Sequence, residues 1–199
     1  MKSDNTAVLL LVEGDDEEFL VKRMCEKWFP KDVHQISIEN VHGKENFGKQ
    51  FRALRLRSLG TTKIIGVIAD SEENPAATAQ RWTDLFNSIA PQINLPCKKL
   101  QLPSDTEAGA FEALVLNALD GDSLATCAKG FRDCAKQYLE NPTLAQQDKI
   151  AVQAWLSAKL GQAYGNVFKA QNYADKKNPP IQLLDYDHPA FTSIKTFIA

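Results

Sequence analysis

The chain has 199 residues, 44% apolar and 24% charged, with a formal net charge of −2. That length suits one sizeable α/β domain or one domain with a helical appendage. The weak net charge excludes a global pull toward nucleic acid or anionic membrane, so nucleic-acid contact would need a local basic patch or a bridging metal. No apolar run approaches the roughly 18–20 residues of a membrane span. The N-terminal run VLLLVEG ends in acid without a small-residue cleavage site, so it reads as a strand and not as a signal peptide. Four cysteines, Cys25, Cys97, Cys127 and Cys134, lack C-x-x-C spacing. They read as reduced, buried thiols of a cytoplasmic protein, with Cys127 and Cys134 able to share a helix face.

Taken in chain order, residues 7–12 predict a first strand. Glu17–Trp28 predicts a helix with Phe19, Leu20, Met24 and Trp28 on its apolar side, started by Asp15 or Asp16 and stopped before Pro30. Val33–Val41 predicts a second strand, Phe47–Leu59 a second helix closed by Gly60, and Lys63–Ala69 a third strand. Pro75–Ile89 predicts a third helix with Asn74 as N-cap and Pro75 at its first position. Pro91–Pro96 reads as a turn-rich link, Cys97–Leu102 as a short fourth strand, and Gly109–Leu119 as a fourth helix. Trp28, Trp82 and Trp155 read as core. Alternation of strand and helix over residues 1–120 predicts an open, mostly parallel four-stranded sheet flanked by helices. Residues 121–199 read as a helical extension packed on that domain. It comprises Ser123–Leu139, Leu144–Leu160, an extended loop over 161–187 and a short helix over Asp187–Ile198.

The chemistry concentrates where apolar runs end in acid. VLLLV is followed by Glu13-Gly14-Asp15-Asp16-Glu17, and IIGVIA by Asp70-Ser71-Glu72. Buried parallel strands read as continuous apolar runs, and ligands in open α/β sheets bind beyond their carboxyl ends. Glu13 and Asp70 are thus expected on one edge of one sheet. Carboxylates crowded there repel unless a cation lies between them, and hard oxygen ligands suit Mg²⁺ or Mn²⁺. Glu17 follows Glu13 by one helical turn, and Glu112 opens the fourth helix after Gly109. Lys49, Arg52 and Arg55 recur every three residues on the second helix, a spacing that could grip a phosphate backbone or form a solvated basic face. Gly43-Lys44 lacks the preceding glycines of a phosphate loop.

The order and spacing of Glu13-Gly14 and Asp70-Ser71-Glu72 resemble the Toprim domain family, the catalytic module of topoisomerases, bacterial primases and related nucleases. Glu17 and the pattern Leu102-Pro103…Gly109…Glu112 look like the overcoming-lysogenization-defect (OLD) type of Toprim nuclease and its small stand-alone relatives. The resemblance covers residues 7–119 and implies divalent-metal-dependent phosphoryl transfer, with DNA or RNA as substrate and an ATPase as possible partner. It implies Glu13 and Asp70 as catalytic residues and Glu13, Glu17, Asp70, Glu72 and Glu112 as metal ligands for Mg²⁺ or Mn²⁺. Glu72 stands where the family carries aspartate, one methylene longer. Lys44, Lys176 and Lys177 are the loop lysines available to stabilise a transition state. A Toprim-fold binding or regulatory module without turnover is the alternative. A phosphoacceptor receiver domain built on Asp15-Asp16, Asp70 and Ser104 fits less well, since no fifth strand carries a lysine.

Overall fold

The computed structural model describes residues 7–56, 59–163 and 167–199. Strands β1 (Val8–Val12), β2 (Ile36–Asn40), β3 (Ile64–Asp70) and β4 (Cys97–Leu102) form one sheet in the order β2-β1-β3-β4. All three pairings are parallel, and Leu10 of β1 lies between Ile38 and Gly66. Successive side chains point to opposite faces. Leu10, Val12 and Ile68 enter one apolar cluster, while Leu9, Leu11, Ile65, Val67 and Ala69 enter the other. Both faces are covered, which is why β1 and β3 tolerate no polar alternation.

Helix α1 (Asp15–Trp28) buries Leu20, Val21, Met24 and Cys25 on the first face. Helices α2 (Phe47–Leu54) and α3 (Pro75–Ile93) cover the second, where Trp82 sits 4.8 Å edge-on from Phe47. Asn74 accepts from the Ala77 amide at 3.0 Å, so α3 starts as its Asn-Pro sequence predicts. The chain passes from β1 through α1 to β2, then crosses to β3 on the other side of β1. Strand order reverses between β1 and β3, and their carboxyl ends open a crevice there.

Helix α4 (Phe111–Ala118), the α5/α6 hairpin (Ser123–Ala135 and Leu144–Leu160), α7 (Val167–Ala174) and α8 (Thr192–Ile198) complete the chain. Ala151, Val152, Trp155, Leu156 and Ile194 join Leu10, Leu20 and Ile68 in one apolar cluster. Each valine, leucine or isoleucine among them contributes about 1.5–3 kcal/mol when buried. Among the described residues no helix is long and apolar enough to cross a membrane.

Several expectations need correction. Val33–Gln35 forms a 3-10 turn, so β2 begins only at Ile36. Helix α2 ends at Leu54, and residues 57–58 of the expected helix lie outside the described residues. Helix α3 continues through Pro91 to Ile93, where a turn was expected. The polar segment 161–187 holds α7, whose Ala170 and Ala174 are buried beside α1. Its apolar side is too short and small to stand out as a periodic pattern. Cys25 is buried, but Cys127 and Cys134 are exposed. Trp82 and Trp155 are core residues, whereas Trp28 is half-buried and donates to Asp187 at 3.1 Å.

Candidate functional site

A cavity of about 580 Å³ opens where β1 and β3 end, lined by Glu13, Asp16, Glu17, Asp70, Glu112 and, from α6, Gln146 and Lys149. Glu13 leaves the tip of β1, and Gly14 follows as the extended N-cap of α1. A Cβ on Gly14 would lie 2.8 Å from a Glu17 carboxylate oxygen, so a side chain there would push that flexible carboxylate from its place beside the strand end. Asp70 ends β3, and its Oδ1 accepts the Phe111 amide at 2.9 Å at the start of α4. That bond places Glu112, the next residue, on the cavity wall. The Glu72 and Gly109 backbones pair reciprocally at 2.9 and 2.8 Å, which ties the loop before α4 to the tip of β3. Glu72 adopts φ 57° and Gly109 φ 142° to make this bridge, and a side chain at Gly109 would also meet Pro103 at 3.1 Å.

The electrostatics follow from burial and crowding. Burial, reinforced by Glu17, Glu13 and Glu112, raises the Asp70 carboxyl well above its ordinary range, against the Phe111 amide. Burial, with help from Glu112, Asp16 and Glu13, pushes Glu17 up to about 7. Glu13 is raised by burial and by Glu72, against Lys44 and Arg81. Glu112 is raised by burial and eased by Lys149. Four carboxylates thus act on one another in one pocket, each resisting ionisation. Among the described residues, no three His, Cys, Asp or Glu side chains close into a ready-made metal shell.

Glu13, Glu17, Asp70 and Glu112 line the cavity. Two acids serve helix starts: Asp16, which also lines the cavity, accepts the Val167 amide on Oδ2 at 3.1 Å, and Glu73 Oε1 accepts the Leu144 amide at 2.9 Å. Asp15 accepts from Asn40 at 2.7 Å. Glu72 lies beside the cavity and is engaged by Lys44 at 2.6 Å and Arg81 at 3.3 Å. Burial opposes its ionisation, but the hydrogen bonds from these two cations outweigh burial and hold the carboxyl below its ordinary value.

The basic candidates are placed differently. Lys49 donates to Asn46 at 3.0 Å and Arg55 donates to Gln92 near the end of α3. Arg55 therefore stands toward the sheet edge opposite the acidic tips. Arg52 is exposed on the outer side of α2. Lys177 contacts the Tyr173 hydroxyl, and neither it nor Lys176 is among the residues lining the cavity. Lys149 is the one lysine or arginine among the described residues lining it. Nothing local in sequence marks Lys149, because its neighbour Glu112 is 37 positions away along the chain and meets it only through the packing of α4 against α6.

The cavity's four half-buried carboxylates offer hard oxygen donors, a chemistry that suits Mg²⁺ or Mn²⁺ better than a softer metal, and His42 also lines the cavity. Residues 7–199 match the protein family described as "Protein of unknown function (DUF3226)". No curated protein matches the chain. Among solved structures, the chain is similar to the "C-terminal region of the Xanthomonas campestris pv. campestris OLD protein phased with mercury". Identity is 16% and the TM-score 0.42, over 96% of this chain and 95% of that one.

Proposed function

We propose that this chain, which belongs to the family described as "Protein of unknown function (DUF3226)", is a divalent-metal-dependent phosphoryl-transfer protein of Toprim type, acting as a nuclease on DNA or RNA. One observation carries the reading: Glu13, Glu17, Asp70 and Glu112 face a single cavity at the reversal of strand order, each held toward its neutral form by burial and by its neighbours. The Glu13-Gly14 and Asp70-Ser71-Glu72 motifs support the Toprim assignment. Glu13, Glu17, Asp70 and Glu112 would hold the Mg²⁺ or Mn²⁺, with Glu72 at the margin. When bound, the metal would neutralise phosphate charge and lower the pKa of an attacking water. Glu13, at the tip of β1 on the cavity wall, would serve as general acid/base or as a shared metal ligand. Lys149 supplies positive charge to the substrate phosphate or the departing oxygen. Asp70 positions Glu112 through the Phe111 amide. An ATPase partner belongs to the same reading through the OLD-type resemblance.

The test is calorimetric titration with Mn²⁺, then incubation with supercoiled DNA, single-stranded DNA and RNA. Binding should weaken at least about tenfold in Glu13→Gln and Asp70→Asn, and nicking should vanish in both. Unchanged titrations in both variants would reject the site. A second reading, a Toprim-fold binding module without turnover, is favoured by the commitment of Glu72 to Lys44 and Arg81. It predicts metal binding with every nucleic acid left intact.

A further inference from the structure

Helix α5 turns one side inward, where Ala125 and Ala128 are buried, and Arg132 reaches Asp148 of α6 at 3.0 Å. Its other side carries Leu124, Cys127, Phe131, Cys134 and, in the 3-10 turn that prolongs it, Tyr138. The spacing is three, four, three, four, the repeat of a helix–helix seam. All five are exposed: Leu124 by 36%, Phe131 by 58% and Tyr138 by 85%, with both cysteines open to solvent. Ser123, Gly130 and Gln137 flank this stripe, so the face carries no charge in a chain that is 24% charged. Lys129, Asp133 and Lys136 lie around the helix from it.

Gly130 adds a second sign. A Cβ there would meet nothing within 4 Å, and its φ is not in the left-handed region. Glycine in an exposed helix interior destabilises the helix by about 1 kcal/mol relative to alanine, with no compensation from within the chain. What it permits is close approach of another backbone.

We propose that a second copy of this chain packs on this face, α5 against α5, antiparallel about a two-fold axis near Phe131. An uncharged face meets its own image without repulsion, as an isologous contact requires. Antiparallel packing also sets the positive end of one helix dipole beside the negative end of the other. The area suffices. Phe131 and Tyr138 alone expose roughly 300 Å². With Leu124, the cysteines, Gln137 and the bare backbone at Gly130, the face offers roughly 600 Å² a side, and covering all of it would bury about 1,200 Å² in the pair, the lower bound for a stable specific interface. The inference stands independently of any nuclease activity.

Sedimentation equilibrium on the full chain tests it. The unaltered protein should be dimeric by about 100 μM, a modest affinity suited to the area. Phe131→Glu should raise the dissociation constant at least ~30-fold. Gly130→Gln should raise it at least ~10-fold while helicity by circular dichroism holds or rises, since the substitution improves helix propensity and wedges the helices apart. Leu56→Glu, at a lone exposed leucine after α2, should leave it unchanged. A monomer at every concentration overturns the proposal, including one that captures a different protein. So does a dimer indifferent to both α5 variants, or one that Leu56→Glu disrupts equally.

Discussion

At the scale of single residues, the cavity acids are held together against their own repulsion. Glu17 shows the consequence most directly. Its folded-state pKa is raised from 4.5 to about 7, so the folded protein keeps a proton that the unfolded chain releases. The stability this contributes is fully present below pH 4.5 and is lost as pH rises to about 7, an effect on the order of 3 kcal/mol. Thermal unfolding in chelator should therefore show the difference between Glu17→Gln and the unaltered chain growing in favour of the glutamine variant across that window. Millimolar Mn²⁺ should raise the midpoint of the unaltered protein at pH 7 and shrink that difference. Gly14→Ala offers a complementary probe. The new methyl would displace the Glu17 carboxylate, the free end of a flexible side chain, so metal affinity should fall about tenfold with little loss of stability. A titration matching the unaltered chain would show that Glu17 does not bind metal.

At the scale of elements, the strand-end acids couple the helices to the sheet. Asp70 opens α4, Asp16 opens α7 and Glu73 opens α6, each through a single amide. Replacing Glu73 by Ala should cost about 0.5–1 kcal/mol in denaturant unfolding, since Thr143 still caps α6 with a full capping box. Packing across the sheet is less forgiving. Gly66 in β3 lies under α8, and a Cβ there would sit 2.7 Å from Leu10 and 3.0 Å from the Phe197 ring. Gly66→Ala should destabilise by about 1–3 kcal/mol through overpacking, read as a lower denaturant midpoint at unchanged slope. Lys98 is anchored at the same place, donating to the Phe197 carbonyl and lying 4.5 Å from the centre of its ring. The helices were legible in proportion to their apolar stripes. Phe47, Phe51 and Leu54 announce α2, while α7 buries chiefly alanines and hides in a polar segment.

At the scale of the whole molecule, the helical extension is part of the site and of the core. Gln146 and Lys149 line the cavity from α6. Ala151, Val152, Trp155, Leu156 and Ile194 complete the apolar cluster beneath β1 and α1. A fragment of residues 1–120 would leave that face bare. It should bind a hydrophobic dye and unfold without a cooperative transition, whereas the whole chain should unfold cooperatively. A cooperative, dye-silent fragment would make residues 1–120 a self-sufficient domain. The sequence itself had divided the chain near residue 120, because strand–helix alternation stops there. Alternation reports local periodicity, however, and local periodicity does not say which face a later helix covers.

What the amino-acid order determined alone is the sheet and the nature of its tips. Parallel strands buried on both sides must be continuously apolar, so VLLLV and IIGVIA were recognisable, and the acids that end them had to emerge at strand ends. Tertiary structure decided which of those acids meet. Strand order β2-β1-β3-β4 brings Glu13 beside Asp70, the Asp70–Phe111 bond draws in Glu112, and the packing of α6 delivers Lys149. It also removed Glu72 to a pair of cations and left the Leu124–Tyr138 face of α5 uncovered. The physical reason is range. Propensity and burial pattern act over a few residues, whereas the field at a carboxylate depends on every charge within several ångströms, however distant along the chain.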